Sequence, residues 1–411
     1  MRHFLGLTLF CSAAFLVAQE APKFRTDADG PVSAAKAKAK KVKGKDVIDV
    51  LDWYQIVDGK FPPKGSAHAI SGELIKVDHL ERRFHLRADR NDSQDRGVWD
   101  LPVDAELLPY GAIYYHGAPA ALQDIPLGTH LHGLFYMRAP DDKTPPPSAN
   151  NNRKTPELDF RRCFQLEDDF TFRTRQKQLW KIDSVDLTTK KLVATLHGEA
   201  GAIGKPQTFE VSTNTRVFKE NGFGTLEALK PGQSVLFNLT WATLYGPGRI
   251  REIWLDEPSR KLATAHQMEV HRNNIRERGL PGWVDAVDDE SQIVTITFFG
   301  NVDAKLSEDI SIAPPEAPDA VKDPTKPPVL KGSIAVARET LMTYDPVNDR
   351  KGGVILEIKK VPLEPGSSGV QVRVKCDMLL EGYRPRRIVR FFPGTWKVIA
   401  LPREEEFFGR E

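Results

Sequence analysis

The sequence predicts a mainly β protein that consists of three tandem small β-barrels. Three observations lead to this fold class. A strand–turn–strand motif occurs three times, a second motif follows each copy, and the chain holds 30 Pro and 30 Gly, which suits many short strands and tight turns. The 411 residues are enough for several domains of ordinary size. Apolar residues make up 40% of the chain and charged residues 28%, so buried cores can form.

The first motif is an apolar residue, two free positions and then Val-Asp. It lies at 74–78, 182–186 and 284–288 and therefore recurs at intervals of about one hundred residues. Each copy continues into a second run of alternating apolar residues. The Asp is accordingly expected to begin the turn of a β-hairpin.

The second motif is a short helical turn that ends at Pro or Gly and leads into an apolar strand. It lies at 122–128, 226–232 and 380–386. In the third unit the two motifs are separated by about 50 more residues than in the others, which predicts an insertion. The insertion contains a Pro-rich run at 313–328, expected to be an exposed loop, and an additional strand at 352–358.

About five short strands around one core can close into a Greek-key barrel, which leaves few exposed strand edges. The order of hairpin, turn and closing strand resembles the small OB-like barrels of uncharacterised secreted bacterial proteins. The resemblance covers residues 65–137, 178–255 and 280–401. It implies three OB-like barrels, and it carries no catalytic residue over to this chain.

The N-terminus has the composition of a secretory signal peptide. Residues 1–3 carry positive charge, and residues 4–18 are almost wholly apolar. We therefore expect a signal peptide at 1–19 and a secreted or periplasmic protein, with an uncleaved anchor as the alternative. No later stretch approaches about 18 consecutive apolar residues, so no transmembrane segment is expected in the mature chain.

A basic leader follows, in which residues 33–45 hold six Lys and no acid. Such a run repels itself and is expected to be a flexible spacer, with contact to an anionic polymer or lipid headgroups as the alternative.

The expected segments are the leader 20–46, barrel 1 with a leading helix 47–139, a loop-rich connector 140–177, barrel 2 178–256, a basic helix 257–279 and barrel 3 with its Pro-rich insertion 280–411. Within the connector, three acids flanked by Arg and Lys are expected to be solvated and self-paired: Glu167, Asp168 and Asp169.

The connector between barrels 2 and 3 carries the strongest helix signals. Asp256 can cap its start, Pro258 suits its first turn, and Gly279 can end it. A stripe at helical spacing is expected to face a barrel: Leu262, Ala265, Met268, Arg272 and Ile275. The helix is also rich in cations, and four of them are our candidate binding residues: Lys261, Arg272, Arg276 and Arg278.

His130 and His132 form the one metal-like spacing in the sequence. On a strand, residues i and i+2 point the same way, so both imidazoles could reach one ion. A third ligand could come from His116, His85 or His68. The other two units carry Ser and Leu, or Ile and Arg, at the equivalent positions, which favours a structural or surface pair. We therefore predict no cofactor and keep His130 and His132 as the candidate metal residues.

Catalytic signatures are absent from the sequence, which contains no G-x-S-x-G, H-E-x-x-H, G-x-G-x-x-G or C-x-x-C motif. The Gly-rich run 198–205 is followed by Pro206 where a phosphate loop needs Ser or Thr, so we expect a hairpin loop.

Cys163 and Cys376 either pair in an oxidising compartment or lie apart as small apolar core residues. Seven aromatic residues are expected in cores rather than on a base-stacking surface: Tyr110, Tyr114, Tyr115, Trp180, Trp241, Tyr245 and Trp283.

These observations predict an exported, non-enzymatic binding or assembly protein of the cell envelope. Its expected partner is an envelope protein or an anionic glycan. One alternative is a metal-assisted hydrolase of an extracellular polymer that uses His130 and His132, and another is a polyanion-binding module. The net charge of +2, from 58 Lys and Arg against 56 Asp and Glu, lacks the footprint of a nucleic-acid-binding protein, and export also disfavours that partner.

Overall fold

A computed structural model describes residues 40–42, 45–47, 54–89, 103–136, 162–240, 248–310, 332–336, 351–376, 379, 382–393 and 396. For 40–42, 45–47 and 332–336 it describes the backbone alone. The expected signal peptide, most of the expected leading helix and the Pro-rich run lie outside these residues. Strands β1 (Lys40–Val42) and β2 (Lys45–Val47) form a short antiparallel ladder within the leader that the sequence predicts to be flexible.

Barrel 1 is built from β3 (His68–Asp78), β4 (Arg83–Ala88), β5 (Val103–Tyr115), β6 (Ala118–Pro119), β7 (His130–Phe135) and β8 (Cys163–Asp168). Five strands close in the circular order β3-β4-β5-β8-β7, with β5 and β8 parallel and all other neighbours antiparallel. Strand β8 lies in the segment 140–177 that the sequence predicts to be a connector. Barrel 1 therefore extends to Asp168, because its fifth strand, β8, comes well after β7 in the sequence.

Helix α1 (Asp169–Arg175) leads into barrel 2. The strands of barrel 2 are β9 (Leu179–Asp186), β10 (Lys191–Gly198), β11 (Gly201–Glu210), β12 (Arg216–Lys219), β13 (Gly222–Gly224), β14 (Ser234–Thr240) and β15 (Arg249–Trp254). They close in the circular order β9-β10-β11-β15-β14, which matches barrel 1, and β11 and β15 are again parallel. The Gly-rich run lies in the β10–β11 hairpin, as predicted.

Helix α2 (Glu257–Arg278) leads into the third unit. Its elements are β16 (Leu280–Asp288), β17 (Ile293–Phe299), α3 (Ala304–Ser307), β18 (Gly332–Val336), β19 (Lys351–Lys360), β20 (Ser367–Cys376) and β21 (Ile388–Pro393). The strands are hydrogen-bonded in the circular order β16-β17-β20-β19-β18-β21, so the sheet curls closed. The inserted strands β18 and β19 occupy the place that the fifth strand holds in barrels 1 and 2.

The three units share the hydrogen bonds that join their first strand to the turn before the closing strand. In barrel 1 the Leu74 N–H donates to the Thr129 carbonyl (2.9 Å), and the Gly128 N–H donates to the Leu74 carbonyl (2.7 Å). The same two bonds recur between Ile182 and Gly232 or Gln233, and between Val284 and Arg386 or Arg387. The fold is therefore mainly β, with tandem small barrels whose predicted repeats occupy equivalent places.

The Val-Asp motif ends the first strand of each unit and begins a tight hairpin turn. The Asp78 carboxylate accepts the Glu81 N–H at 3.1 Å, and Asp186 and Asp288 accept the equivalent amides in their units. Asp favours this position because its short side chain can bond to the backbone of the turn. The hairpins predicted from the motif are thereby confirmed.

The two cysteines lie in different cores. Cys163 is buried in the core of barrel 1, and Cys376 is buried in the core of the third unit. They do not form a disulfide. Burial raises the pKa of the Cys163 thiol well above its usual value. Of the two alternatives, the small apolar core residue is the one observed.

Helix α2 has the predicted ends. The Asp256 carboxylate accepts the Ser259 N–H at 2.9 Å, and Gly279 ends the helix with a φ of +83°, which favours glycine. Within the described part of the chain, none of the helices has both the length and the apolar character that crossing a bilayer requires.

The buried face of α2 differs from the predicted apolar stripe, because Leu262 is 48% exposed. The buried residues are Ser259, Gln267, His271 and Ile275. Polar anchors explain the difference, since this face meets carbonyl and carboxylate groups of barrel 1. The Gln267 amide donates to Asp124 Oδ2 (3.0 Å), and the Thr264 hydroxyl donates to the His116 carbonyl (2.7 Å).

Aromatic side chains join barrel 1 to the third unit. The Phe61 and Trp283 ring centroids are 4.3 Å apart, and Tyr110 packs edge-on against both Trp283 (5.6 Å) and Phe299 (6.2 Å). We call this contact the aromatic junction and define it by Phe61, Tyr110, Phe164, Trp283 and Phe299. It buries apolar surface, which is the main favourable term in such contacts.

Candidate functional site

The two candidate metal residues lie on the outer face of barrel 1, where α1 and barrel 2 pack against it. Leu131 between them is fully buried in the barrel core, so His130 and His132 project from the opposite face of β7. His130 Nδ1 and His132 Nε2 each lie 2.9 Å from the same atom, Oδ1 of Asp169. The two imidazoles thus reach one place, as their spacing indicates, and a carboxylate is the third member.

Asp169 is held in position by the start of α1. Asp168 is the N-cap residue and accepts the Thr171 N–H at 2.9 Å. The second carboxylate oxygen of Asp169 accepts the Leu239 N–H of β14 at 2.9 Å. One side chain therefore contacts both barrels.

The sequence predicts the acids of this segment to be solvated, and that prediction is wrong. Glu167, Asp168 and Asp169 are 3%, 0% and 4% exposed. They can be buried because each carboxylate has partners, and Glu167 pairs with the Arg175 guanidinium. The sequence signal for Asp169 is the Asp-Asp pair that starts a short helix, which marks a helix cap but no ligand.

Each histidine is also held on its far side. His130 Nε2 lies 2.8 Å from Asp89 Oδ2, and His132 Nδ1 lies 2.9 Å from the Ser71 hydroxyl. The Phe172 ring stacks on His132, with centroids 3.9 Å apart and planes 15° from parallel. Both imidazoles are therefore held through contacts at each of their two ring nitrogens.

The histidines and carboxylates of this site shift one another's pKa values. Burial lowers the pKa of His130, but the carboxylates of Asp169 and Asp89 overcome that effect and raise it well above its usual value. Burial raises the pKa of Asp169, yet His130 and His132 lower it to below its ordinary range. The two carboxylates therefore favour the positively charged form of His130.

Deeper in the same contact, polar side chains join barrel 1 to barrel 2. The Asn238 amide donates to Asp168 Oδ2 (2.8 Å), and Glu252 accepts the Tyr115 hydroxyl (3.3 Å) and lies 3.4 Å from His116 Nε2. Burial raises the pKa of Glu252, but its bonds to His116, Arg216 and Asn238 lower it overall. We call this contact the polar junction and define it by Tyr115, His116, Asp168, Asn238 and Glu252.

The sequence predicts that a third metal ligand could come from another histidine. Among the described residues, the third member of the group is the carboxylate of Asp169. Among the described His, Cys, Asp and Glu residues, the group that could hold a metal is His130, His132 and Asp169, with donor atoms within 4.8 Å of one another. His116 contacts Glu252 in the polar junction instead. His85 is not part of this group, and the side chain of His68 lies outside the description.

Three of the four candidate binding cations, Lys261, Arg272 and Arg276, line two adjoining grooves beside α2. The first, 630 Å³, lies between α1 and α2 and is lined by the cations Lys177, Arg260, Lys261 and Arg272 and the acid Glu257. The second, 420 Å³, lies between α2 and α3 and is lined by the cations Arg272, Arg276 and Lys305 and the acid Glu269. Ala265 and Arg272 line both grooves, so the two adjoin. We call them together the α2 groove.

Some of these cations are neutralised and others are not. Four of them form ion pairs: Lys177 with Glu199 (2.7 Å), Arg260 and Lys261 with Glu257 (3.1 and 3.6 Å), and Arg272 with Asp303 (2.5 Å). Within the described residues, Arg276 and Lys305 form no ion pair. Arg278, the remaining candidate, lies outside the α2 groove, where its guanidinium donates to Asn274 Oδ1 at 2.6 Å.

The aromatic residues expected in cores are largely buried. Tyr110, Tyr115, Trp180 and Trp283 are each 4–6% exposed, while Trp241 and Tyr245 lie outside the described residues.

Comparisons with family models, with curated proteins and with solved structures found no match to this chain.

Proposed function

We propose that this chain is an exported, non-enzymatic binding protein that holds an anionic glycan in the α2 groove. One observation carries the proposal: among the described residues, six cations and two acids line the two adjoining parts of the α2 groove. A groove with an excess of cations favours an acidic ligand, and two adjoining cavities along one helix suit an extended polymer more than a small ion. The apolar N-terminal segment supports export.

The lining favours a glycan over a nucleic acid. Arginine binds carboxylate or sulfate groups in a bidentate way, and Lys261, Arg276 and Lys305 present exposed charge to the groove. Single-stranded nucleic acid is usually held by exposed aromatic side chains, on which its bases stack. The described aromatic residues considered for that role are mostly buried, as at Trp180 and Trp283.

The histidine pair supports a non-enzymatic role. A hydrolase would need His130 or His132 to reach its substrate. The side chain of His130 is only 5% exposed, and both of its ring nitrogens contact carboxylates. Such a residue is more suited to holding elements together than to transferring protons to a polymer.

Charge reversal in the groove tests the proposal. We expect the double variant Lys261→Glu/Arg276→Glu to elute from a heparin column at lower salt and to bind heparin at least tenfold more weakly, because each change removes attraction and adds repulsion. Arg272 is left intact because its pair with Asp303 is short and partly buried, whereas the pair of Lys261 with Glu257 is longer (3.6 Å) and exposed. Titration calorimetry at two salt concentrations gives the affinities.

The matched control is Lys359→Glu/Lys360→Glu, which makes the same charge change on exposed residues of β19 outside the groove. We expect it to keep most of the affinity. Equal losses of heparin affinity in the two double variants would show that net charge alone determines binding. That result would contradict binding in the α2 groove. If single-stranded DNA competes with heparin as well as heparin itself does, the ligand class is nucleic acid and the proposal of a glycan is wrong.

A further inference from the structure

Three donor atoms of the kinds that bind zinc converge between barrel 1 and α1. They are His130 Nδ1, His132 Nε2 and Asp169 Oδ1, and both nitrogens lie 2.9 Å from the carboxylate oxygen. Imidazole and carboxylate are usual ligands of zinc and of similar divalent transition metals. In a tetrahedral zinc site the donors lie about 3.3 Å apart, so each contact would need to widen by about 0.4 Å.

The surroundings of the histidines also fit a metal site. A metal-bound histidine almost always donates its other N–H to a carboxylate or another acceptor, which fixes its tautomer and orientation. His130 has Asp89 in that position (2.8 Å), and His132 has the Ser71 hydroxyl (2.9 Å). Both rings are thus oriented by separate partners that are not themselves among the three donors.

The charge of the site supports a cation as well. Asp89 and Asp169 place two carboxylates around the imidazoles, and the Asp169 side chain is 6% exposed. Two neighbouring carboxylates, of which Asp169 is buried and Asp89 is 30% exposed, are stabilised by positive charge, which either a protonated histidine or a metal ion supplies. A divalent ion would take the place of the protons that lie between the imidazoles and Asp169.

We propose that His130, His132 and Asp169 bind one zinc-type divalent metal ion, which fastens barrel 1 to α1 and barrel 2. The connection to barrel 2 runs through the bond from the Leu239 N–H to the second oxygen of Asp169. The role is structural, because the site lies between packed elements and His130 is 4% exposed. The proposal does not depend on the α2 groove or on its ligand.

Metal content of the full chain tests the site. The protein is stripped with a chelator, incubated with zinc, passed through gel filtration and analysed for bound metal. We expect one zinc per chain in the wild type, a rise of the unfolding temperature with zinc, and loss of both effects in His132→Gln and Asp169→Asn. The control His266→Gln alters an exposed histidine of α2 and should keep the zinc.

A second variant keeps the test valid if the ligand variants fail to fold. Ser71→Ala leaves all three donors in place and removes only the partner of His132 Nδ1, so zinc should bind about 10 to 100 times more weakly. Wild-type protein that retains no zinc would overturn the proposal. So would zinc content that is unchanged in His132→Gln, or zinc affinity that is unchanged in folded Ser71→Ala.

Discussion

Barrel 1 contacts its two neighbours in different ways. Toward the third unit it presents the aromatic junction, where Phe61, Trp283 and Phe299 pack ring against ring. Toward barrel 2 it presents the polar junction, where Asn238 and Glu252 are 0% and 2% exposed and bonded to groups of barrel 1. Similar barrels can therefore be joined either by apolar surface or by a buried hydrogen-bonded network.

The difference has an energetic consequence. Apolar contacts are non-directional, so a ring can be replaced by another apolar group at modest cost. Buried carboxylates depend on each partner, because a lost donor leaves a charge without compensation. The polar junction should therefore specify one arrangement of the barrels, while the aromatic junction should tolerate change.

The largest expected effect comes from Asn238→Leu in the polar junction. Leucine has the same branching and the same number of side-chain heavy atoms, but it can neither donate to Asp168 nor accept the Phe170 N–H, both of which are bonds of 2.8 Å. We expect the free energy of unfolding to fall by about 4 kcal/mol, as measured by urea denaturation. Asn273→Leu, on the exposed face of α2, is the control and should change it by about 0.5 kcal/mol or less. A small loss in Asn238→Leu would show that the network is not needed.

Acid should weaken a second polar contact, between α2 and the third unit. Burial lowers the pKa of His271 to about 4, although Asp303 and Asp124 raise it and Arg272 lowers it further. In the unfolded chain the pKa is about 6.5, so between pH 6.5 and 4 the unfolded state binds a proton that the folded state does not. Stability should therefore fall as the pH is lowered through this interval, by about 3 kcal/mol from this group.

The measurement is the free energy of unfolding at pH 7 and pH 4.5 in the wild type and in His271→Gln. Glutamine keeps an acceptor for the Asp303 N–H but does not titrate. We expect the variant to lose about 2 to 3 kcal/mol less than the wild type on acidification. Equal losses in the two proteins would mean that His271 is not held in its neutral form.

A smaller effect is expected from Phe299→Leu in the aromatic junction. Phe299 is 2% exposed and contacts Phe61, Tyr110 and Trp283, so leucine keeps most of the apolar contact. We expect a loss of about 1.5 kcal/mol or less in the same denaturation assay. A loss as large as that of Asn238→Leu would remove the contrast between the junctions.

The barrels could be predicted from sequence because their signals are local and repeated. The Val-Asp hairpin and the closing turn lie within short segments, and Leu74, Ile182 and Val284 mark equivalent places in all three units. Strand β8 was missed because it lies far along the sequence from β7 and belongs to neither motif. Its pairing with β5 connects distant parts of the chain, which local patterns cannot show.

The site was only half predictable for the same reason. The i, i+2 spacing on a strand was enough to place His130 and His132 on one face. Asp169 joins them through tertiary packing of α1, and its sequence neighbours suggest a solvated segment. In α2, Lys261, Arg272 and Arg276 were recognisable as cations, but only the packing of α1 and α3 shows which of the named residues line a groove.

The most direct test of the contrast is one chemical change made in both junctions. Tyr115 donates its hydroxyl to Glu252, whereas the buried Tyr110 hydroxyl has no hydrogen-bond partner among the described residues. We predict that Tyr115→Phe lowers the free energy of unfolding by about 1 kcal/mol and that Tyr110→Phe leaves it unchanged or raises it by up to about 1 kcal/mol. Equal losses in both variants, measured by urea denaturation, would contradict the account.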